Sequence, residues 1–345
     1  MKNFKKQFGG KLTNDLTERY GQSENWKDGK FLNLEETSMS INFWDIPKLL
    51  YKQFTDTEKR EPAAPLPVAS FHKESFLLDD APFKYIWYGH SVVLMRMNAK
   101  TILIDPMLGP NASPIAPFKT KRFSENTLGL IDDFPEIDLM VLSHDHYDHL
   151  DYDSILKLKN KTKKYYVALG VKRHLVTWGI DPKLITEFDW WDNTTFHDIK
   201  VTFTPSRHFS GRGLTDRSRS LWGGWTFTSK NQNIWFSGDS GYGSHFKEIG
   251  EKLGPFDFGF MENGQYNQKW HQIHMFPEES IQAALDAKVK KVMPVHWAGF
   301  ALAQHDWKEP ADRFKQAAKE QKLEVTFPKL GALYALDNCT EEKWW

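Results

Sequence analysis

The sequence of 345 residues is nearly free of cysteine, since Cys339 near the C-terminus is the only one. A single cysteine cannot form an intrachain disulfide and cannot build a cysteine-rich structural zinc site. Any metal site in this chain must therefore use histidine and carboxylate side chains. That donor set favours a catalytic metal site over a structural one.

The chain also lacks an excess of charge of either sign, because Lys+Arg and Asp+Glu both number 45. Nucleic-acid-binding proteins usually carry a basic excess, so we predict no nucleic-acid partner. Hydrophobic content of 40% and charged content of 26% are typical of a globular protein that buries a sizeable core.

Long apolar runs are absent as well, and none reaches the roughly 20 residues that a membrane-spanning helix needs. The lysines near the N-terminus are not followed by the apolar stretch of a signal peptide. We therefore expect a cytoplasmic protein. The 14 Trp and 25 Phe residues leave peripheral membrane contact open. Nothing in the composition predicts an oligomeric state.

The first 80 residues differ in pattern from the rest of the chain. They are polar and interrupted, with apolar residues at helical spacing over 42–54 and a proline-rich stretch over 60–69. Regular strand and helix patterns begin near residue 83. We therefore predict an N-terminal extension over 1–80, packed on or linked to a core domain over 81–345. The terminal "EEKWW" is expected to be a frayed tail rather than part of an interface.

The densest chemical signal is "LSHDHYDHLD", residues 142–151, which holds three histidines and three aspartates in ten positions. It directly follows an apolar strand pattern. Three later strand patterns also end in a ligand-type residue, namely His208, Asp239 and His296. In layered α/β folds, sites form at the carboxyl ends of strands, so we expect these side chains to meet.

The spacing within the motif predicts a first metal position. His144 and His146 lie two residues apart at an extended strand end, so both rings can face one side. His208 would complete this set. The alternative, that these histidines are structural, applies to lone histidines much better than to such a cluster.

The remaining ligand-type residues predict a second metal position. Asp148 and His149 follow at the turn into a helix and supply one carboxylate and one imidazole. His296 would complete this set, and Asp239 could bridge both ions. Two ions about 3.5–4 Å apart would lower the pKa of a water held between them and make it a nucleophile near neutral pH.

The order His144-Asp145-His146-Tyr147-Asp148-His149 has the form His-x-His-x-Asp-His, the signature of the metallo-β-lactamase superfamily. Further segments resemble the phospholipases D that hydrolyse N-acylphosphatidylethanolamines, and their bacterial relatives. These segments are "GHSVVLM", "IDPMLGPNASP", "EFDWW", "TPSRH", "LWGGW", "SGDSGY", "PEES" and "VHWAGFALA". The similarity covers about residues 83–310, so the core domain resembles a metallo-β-lactamase-like hydrolase domain.

The resemblance implies an α/β fold of the αββα sandwich type with two zinc ions, although His/Asp sites also accept iron or manganese. It implies the same two ligand sets and adds His274 near the substrate phosphate. His274 could instead be a surface-loop histidine, and His271 is close enough to confuse the assignment. Asp105 would orient a ligand histidine, or would simply form the turn before Pro106.

The function that the resemblance implies is a dinuclear zinc hydrolase that cleaves a phosphodiester in N-acylphosphatidylethanolamine-like lipids. A hydroxide held between the ions would attack phosphorus, with Asp148, Asp239 and His274 as catalytic residues. The alternative is a lactonase, of the sugar-phosphate lactone type, or a thioesterase with the same site. Aromatic candidates for substrate binding are Tyr266, Trp222, Trp297 and Phe300, any of which could instead pack in the core.

Overall fold

The computed structural model describes residues 6–40, 59–113, 120–337 and 343–345, together with the single positions 47, 51 and 55. Cys339 lies outside these residues, as does nearly all of the helical pattern over 42–54. In chain order the strands are β1 (Trp26–Lys27), β2 (Lys30–Phe31), β3 (Phe83–Trp87), β4 (Val93–Met97), β5 (Lys100–Ile104), β6 (Leu139–Leu142), β7 (Tyr165–Ala168), β8 (Ile185–Phe188), β9 (Asn193–Phe196), β10 (Ile199–Thr204), β11 (Gly224–Thr228), β12 (Asn233–Phe236), β13 (Phe258–Glu262), β14 (Lys291–Val295), β15 (Glu324–Val325) and β16 (Leu333–Ala335).

The helices are α1 (Asn14–Tyr20), α2 (Lys73–Leu77), α3 (Tyr152–Leu158), α4 (Lys172–Thr177), α5 (His245–Lys252), α6 (Pro277–Asp286) and α7 (Glu309–Gln321). In the described part of the chain, short 3-10 helices cover Thr127–Asp132 and Pro182–Leu184. Within the described residues, α4 packs against β8 on one side of the molecule. On the other side α6 packs against β13 and α7 against β15.

The described strands form two seven-stranded mixed sheets and one small hairpin of β1 and β2. The first sheet has the order β16-β3-β4-β5-β6-β7-β8, and the second has the order β15-β14-β13-β12-β11-β10-β9. Their central strands are rich in Val, Ile, Leu, Met and Phe and are buried at nearly every position, which is typical of strands covered on both faces.

The two sheets pack face to face through aromatic side chains. Phe83 and Tyr85 lie two residues apart on β3 and therefore point to the same face. Their rings contact Phe258 and Phe260 of β13, with centroids 5.2–6.4 Å apart. With helices on both outer faces, this arrangement confirms the αββα sandwich.

Parallel pairing gathers several strand ends at one edge of the molecule. Strands β5 to β8 run parallel in the first sheet, and β12 to β15 run parallel in the second. The carboxyl ends of β5, β6, β12 and β14 are followed by Asp105, the 143–149 loop, Asp239 and His296. The site described below lies at this edge.

The described N-terminal residues contact the sandwich at several points. The Asn25 side chain donates to Asp189 Oδ1 over 2.8 Å, and Arg19 pairs with Glu187 at 3.0 Å. Trp178 Nε1 donates to the backbone of Lys6 over 2.7 Å. The division into an extension over 1–80 and a hydrolase domain over 81–345 stays a prediction.

The expectation of a frayed C-terminal tail is wrong for residues 343–345. The Trp345 ring is buried against Phe327 and Trp297, with centroids 4.6 and 5.7 Å away. Trp344 stacks on Trp297 at 5.5 Å. Two large aromatic rings hold the chain end because each removes much apolar surface from water.

None of the described helices is long and apolar enough to cross a membrane.

Candidate dinuclear metal centre

The loop after β6 is anchored by the residue between its first two histidines. Asp145 is fully buried and accepts hydrogen bonds from Ser220 Oγ at 2.6 Å and from the Gly211 N–H at 2.7 Å. Because side chains alternate in an extended segment, this inward anchor turns His144 and His146 to the opposite side. The motif therefore folds with its two histidine rings on one side, as the sequence predicted.

Three imidazole nitrogens converge at the first position. His144 Nε2 lies 3.0 Å from His146 Nδ1, which lies 3.2 Å from His208 Nε2. Tetrahedral zinc with bonds of 2.0–2.1 Å would place its nitrogen ligands about 3.3 Å apart. The other ring nitrogen of His208, Nδ1, donates to the Ile273 carbonyl at 3.0 Å, which directs Nε2 into the site.

A second group of donors lies beside the first. His149 Nε2 and His296 Nε2 lie 3.0 and 3.1 Å from Asp239 Oδ2, and 3.7 and 3.4 Å from Asp148 Oδ2. The same Asp239 Oδ2 lies 3.8 Å from His144 Nε2. One carboxylate oxygen is thus shared between the two groups, as a bridging ligand would be.

The donor atoms of the second group are better satisfied by a bound metal ion than by hydrogen bonds among themselves. His149 Nε2 and His296 Nε2 are buried, and although each lies close to Asp239 Oδ2, neither contact has the direction of a regular hydrogen bond within the described residues. A buried ring nitrogen without a well-directed hydrogen bond is costly, and coordination to a cation removes that cost. The described residues therefore hold a candidate metal-binding cluster, which contains the seven predicted ligands and also His90, His274 and Glu262.

Electrostatics distinguish the two groups. Burial lowers the pKa of His144 and His208 well below its usual range and that of His146 to about 4, so these rings are neutral at pH 7. Burial also opposes charge on His149, but the carboxylates of Asp239 and Asp148 outweigh it and raise the pKa of His149 to about 10.

The pKa of His296 is raised well above its usual value by the same carboxylates, against the effect of burial. Burial would raise the pKa of Asp148 and Asp239, but the adjacent His149 holds both well below their usual range. Without metal, the second group is therefore two carboxylates paired with two imidazolium rings. A divalent cation would replace those two protons.

Asp105 orients the His149 ring of the second group through the ring nitrogen that faces away from the site. Its Oδ2 accepts from His149 Nδ1 at 2.8 Å, and its Oδ1 accepts from the Ser143 N–H at 2.8 Å. Asp105 also has a φ of 40° directly before Pro106. The orienting and turn-forming interpretations are therefore compatible in this structure.

His274 lies at the site, and a buried carboxylate holds it. Its Nδ1 is 3.1 Å from Glu262 Oε1, and its ring centroid is 5.0 Å from that of His208 and 5.1 Å from that of His296. His274 also lines a cavity of about 260 Å³ beside the ligands. His271 is exposed and is not part of that wall.

Sequence reasoning missed Glu262 and His90. Glu262 ends β13, which lies between the strands that lead to Asp239 and His296, so its position at a strand end was the available signal. His90 Nε2 lies 2.9 Å from Asp148 Oδ2. Its contact with Asp148 has no signature in local spacing.

The four aromatic candidates occupy different places. Trp222 lines a neighbouring cavity of about 380 Å³. Tyr266 donates its hydroxyl to Glu309 at 2.7 Å. Trp297 packs among Trp87, Phe327, Trp344 and Trp345, and Phe300 packs on His90 and Arg122. Among the described residues that line the metal-site cavity, Tyr266, Trp297 and Phe300 do not occur.

Comparison with known proteins agrees with this geometry. The family model described as "Beta-lactamase superfamily domain" matches residues 100–297, a stretch that includes all seven candidate ligands. The chain therefore belongs to the metallo-β-lactamase superfamily, and the predicted resemblance is confirmed. The fold and site define a metal-dependent hydrolase.

Individual relatives refine the comparison. The chain is 36% identical over 315 residues to an uncharacterized protein of Mycobacterium tuberculosis, covering 90% of this chain and 84% of that one. It is 30% identical over 286 residues to N-acyl-phosphatidylethanolamine-hydrolyzing phospholipase D 1 of Caenorhabditis elegans, covering 79% and 80%. Among solved structures, Igni18, a metallo hydrolase of Ignicoccus hospitalis, has a TM-score of 0.57 at 19% identity, covering 73% and 97%.

Proposed function

We propose that this protein is a dinuclear zinc phosphodiesterase of the phospholipase D type that acts on N-acylphosphatidylethanolamine-like lipids. The observation that carries the proposal is the placement of Asp239 Oδ2 between two groups of histidine nitrogens. The lipid substrate class is supported by the similarity to the C. elegans phospholipase, which extends over 79% of this chain.

Two divalent ions bound at this centre would supply a water of lowered pKa and neutralise charge on the phosphoryl oxygens. The first ion would be held by His144, His146 and His208. The second would be held by Asp148, His149 and His296, with Asp239 shared between the two.

Around the ions, the chain orients the substrate and handles a proton. Because Glu262 accepts from His274 Nδ1, the Nε2 atom of the same ring is left for the substrate. When water oxygen bonds to phosphorus and the phosphorus–alcohol bond breaks, the leaving oxygen needs a proton. His274 Nε2 would take the proton that the attacking water releases and pass it to the leaving oxygen. The products would be phosphatidic acid and an N-acyl amino alcohol.

The test is turnover by the zinc-loaded protein on four substrates: bis(p-nitrophenyl) phosphate, an N-acylphosphatidylethanolamine, a lactone and a thioester. Asp239→Asn should abolish phosphodiester cleavage. The matched control is Asp257→Asn. Asp257 directly precedes β13, at the end of the strand away from the candidate ligands, so turnover should stay unchanged. Turnover of only the lactone or the thioester would overturn the proposal and favour carbonyl chemistry at the same centre.

Metal identity needs its own measurement. We expect two equivalents of zinc per chain after purification in zinc and dialysis, and phosphodiester turnover that follows zinc content. Loading with iron or manganese gives the comparison, because His/Asp donor sets accept all three ions. Higher turnover with iron or manganese would refute the assignment of zinc and retain the dinuclear site.

A further inference from the structure

A segment of the N-terminal region runs along the edge of the metal centre. Residues 32–40 alternate between exposed and half-buried positions, so odd-numbered side chains face the sandwich. Met39 lines the cavity at the ligands. Residues 30–39 form one wall of the neighbouring cavity of about 380 Å³, which also contacts His208 and Phe209.

Both polar atoms of the Asn33 side chain form hydrogen bonds with the backbone of His208, a candidate ligand. Asn33 Nδ2 donates to the His208 carbonyl over 2.8 Å, and the His208 N–H donates to Asn33 Oδ1 over 3.0 Å. Trp222 Nε1 also donates to Asn33 Oδ1, at 3.1 Å. Two donors on Oδ1 and one acceptor at Nδ2 settle which end of the amide is oxygen.

This contact replaces the strand pairing that His208 lacks. Strand β10 ends at Thr204, and no described backbone group pairs with the N–H or carbonyl of His208. Asn33 therefore fixes the main chain of the residue while the Ile273 carbonyl fixes its ring. Both restraints direct Nε2 toward His144 and His146.

The segment is also attached at the residue before the ligand. The Arg207 guanidinium donates to Thr37 Oγ1 at 2.9 Å and to the Glu36 carbonyl at 2.6 Å. Asn33 thus lies on a segment with a second hydrogen-bonded attachment four residues further on. Such attachment limits the freedom of the amide to leave its position.

We propose that Asn33 is a positioning residue for His208, so that the N-terminal segment forms part of the metal centre. This inference rests on the proposed metal site. Asn33 lies 175 residues from His208 in the chain and outside the matched superfamily domain. Loss of partners that orient metal ligands typically weakens metal affinity about 10–100-fold.

The experiment compares zinc affinity in Asn33→Ala, Asn33→Asp and Asn25→Ala by competition with a chromophoric chelator. Asn25 is a matched control because it is also half-buried and also joins the N-terminal segment to the sandwich, at Asp189. Asn33→Asp keeps the acceptor for the His208 N–H but loses the donor to its carbonyl. We expect about tenfold weaker binding at one of two positions in both Asn33 variants, and unchanged binding in Asn25→Ala.

Thermal unfolding of the chelated proteins shows whether each variant folds. Cobalt absorption spectra report the geometry of the position that contains His208, independently of activity. If the parent binds two zinc ions tightly and every variant binds them with equal affinity, the role of Asn33 is overturned but the proposed function is not. Equal weakening in the Asn33 and Asn25 variants would overturn it as well. Fewer than two ions in the parent would overturn the proposed function itself.

Discussion

Glu262 lies between two histidines with different proposed roles. Its Oε1 is 3.1 Å from His274 Nδ1 and 3.5 Å from His296 Nδ1. Glu262→Gln would keep the shape but remove the charge that orients both rings. We expect kcat to fall about 10–100-fold with a small change in KM, because orientation is lost and substrate contacts remain.

The matched control is Glu278→Gln, since Glu278 is half-exposed and pairs with Arg313 at the surface. Steady-state kinetics on bis(p-nitrophenyl) phosphate with full zinc occupancy measures both variants. A Glu262→Gln enzyme with parental kcat would show that His274 needs no carboxylate partner.

His149 and His296 should couple zinc binding to pH. In the metal-free protein the pKa of His149 is raised to about 10, and that of His296 is also raised, so both rings are protonated at pH 7.5. Zinc must displace these protons, so its affinity should strengthen as pH rises toward 10 and weaken as pH falls. His144, His146 and His208 are neutral at pH 7.5 and should release none.

Calorimetric titration with zinc in buffers of different ionisation enthalpy measures the protons released. We expect at least the two from these rings, and a smaller number in His149→Gln. Zinc binding without proton release at pH 7.5 would contradict the charge state described for the second group.

Residues of the metal centre were predictable to different degrees. His144, His146, Asp148 and His149 are dense in one short motif, so local spacing predicted their convergence. Asn33 was not predictable, because its contact with His208 joins residues 175 positions apart and has no periodic signal. Long-range hydrogen bonds of this kind exist only once the sandwich has formed.

At the scale of elements, the loop over 143–149 depends on its buried anchor. Asp145 accepts from Ser220 and Gly211 and lies 3.2 Å from His174 Nε2. Asp145→Asn would put an amide against these donors and remove the charge that they stabilise. We expect a loss of about 3 kcal/mol in the free energy of unfolding.

Urea unfolding of the zinc-free protein measures this loss, with Asp153→Asn as the control. Asp153 is exposed in the first turn of α3, eight positions from Asp145 along the same chain region. Equal stability of the two variants would show that the loop over 143–149 is held by other contacts.

Regular elements were predicted well where apolar periodicity is strong. The residue pattern indicates helices near 171–178 and over 277–288, and the structure has them at Lys172–Thr177 and Pro277–Asp286. The segment "LITEFDWW" also has a strand pattern, but strand β8 ends at Phe188. The chain turns at Asp189, whose N–H donates to Asp192 Oδ2 at 2.8 Å. Side-chain turns of this kind override propensity at strand ends.

At the scale of the whole molecule, both ends of the chain support the matched domain over 100–297. Asn33 from the N-terminal region holds His208, and Trp344 and Trp345 from the C-terminus cover Trp297, the neighbour of His296. The sandwich was predictable from the resemblance to the metallo-β-lactamase superfamily. These flanking contacts were not, because their sequences are polar or very short.

The C-terminal contact gives a prediction that separates stability from metal binding. Trp345 packs on Phe327 and Trp297, and its Nε1 donates to Asp312 Oδ1 at 2.9 Å. Trp345→Ala should lower the free energy of unfolding by about 3 kcal/mol, through lost apolar burial and the cavity left behind. Zinc affinity should stay at the parental value, because the ring contacts no ligand atom.

Lys343→Ala is the control, since Lys343 pairs with Asp312 at the surface and such pairs contribute little. Urea unfolding and chelator competition on the same preparations give both quantities. A Trp345→Ala protein of parental stability would mean that the terminal rings lie on a core that is complete without them. A loss of zinc affinity alongside stability would instead show that the contact with Trp297 extends to His296, since the two residues are adjacent at the end of β14.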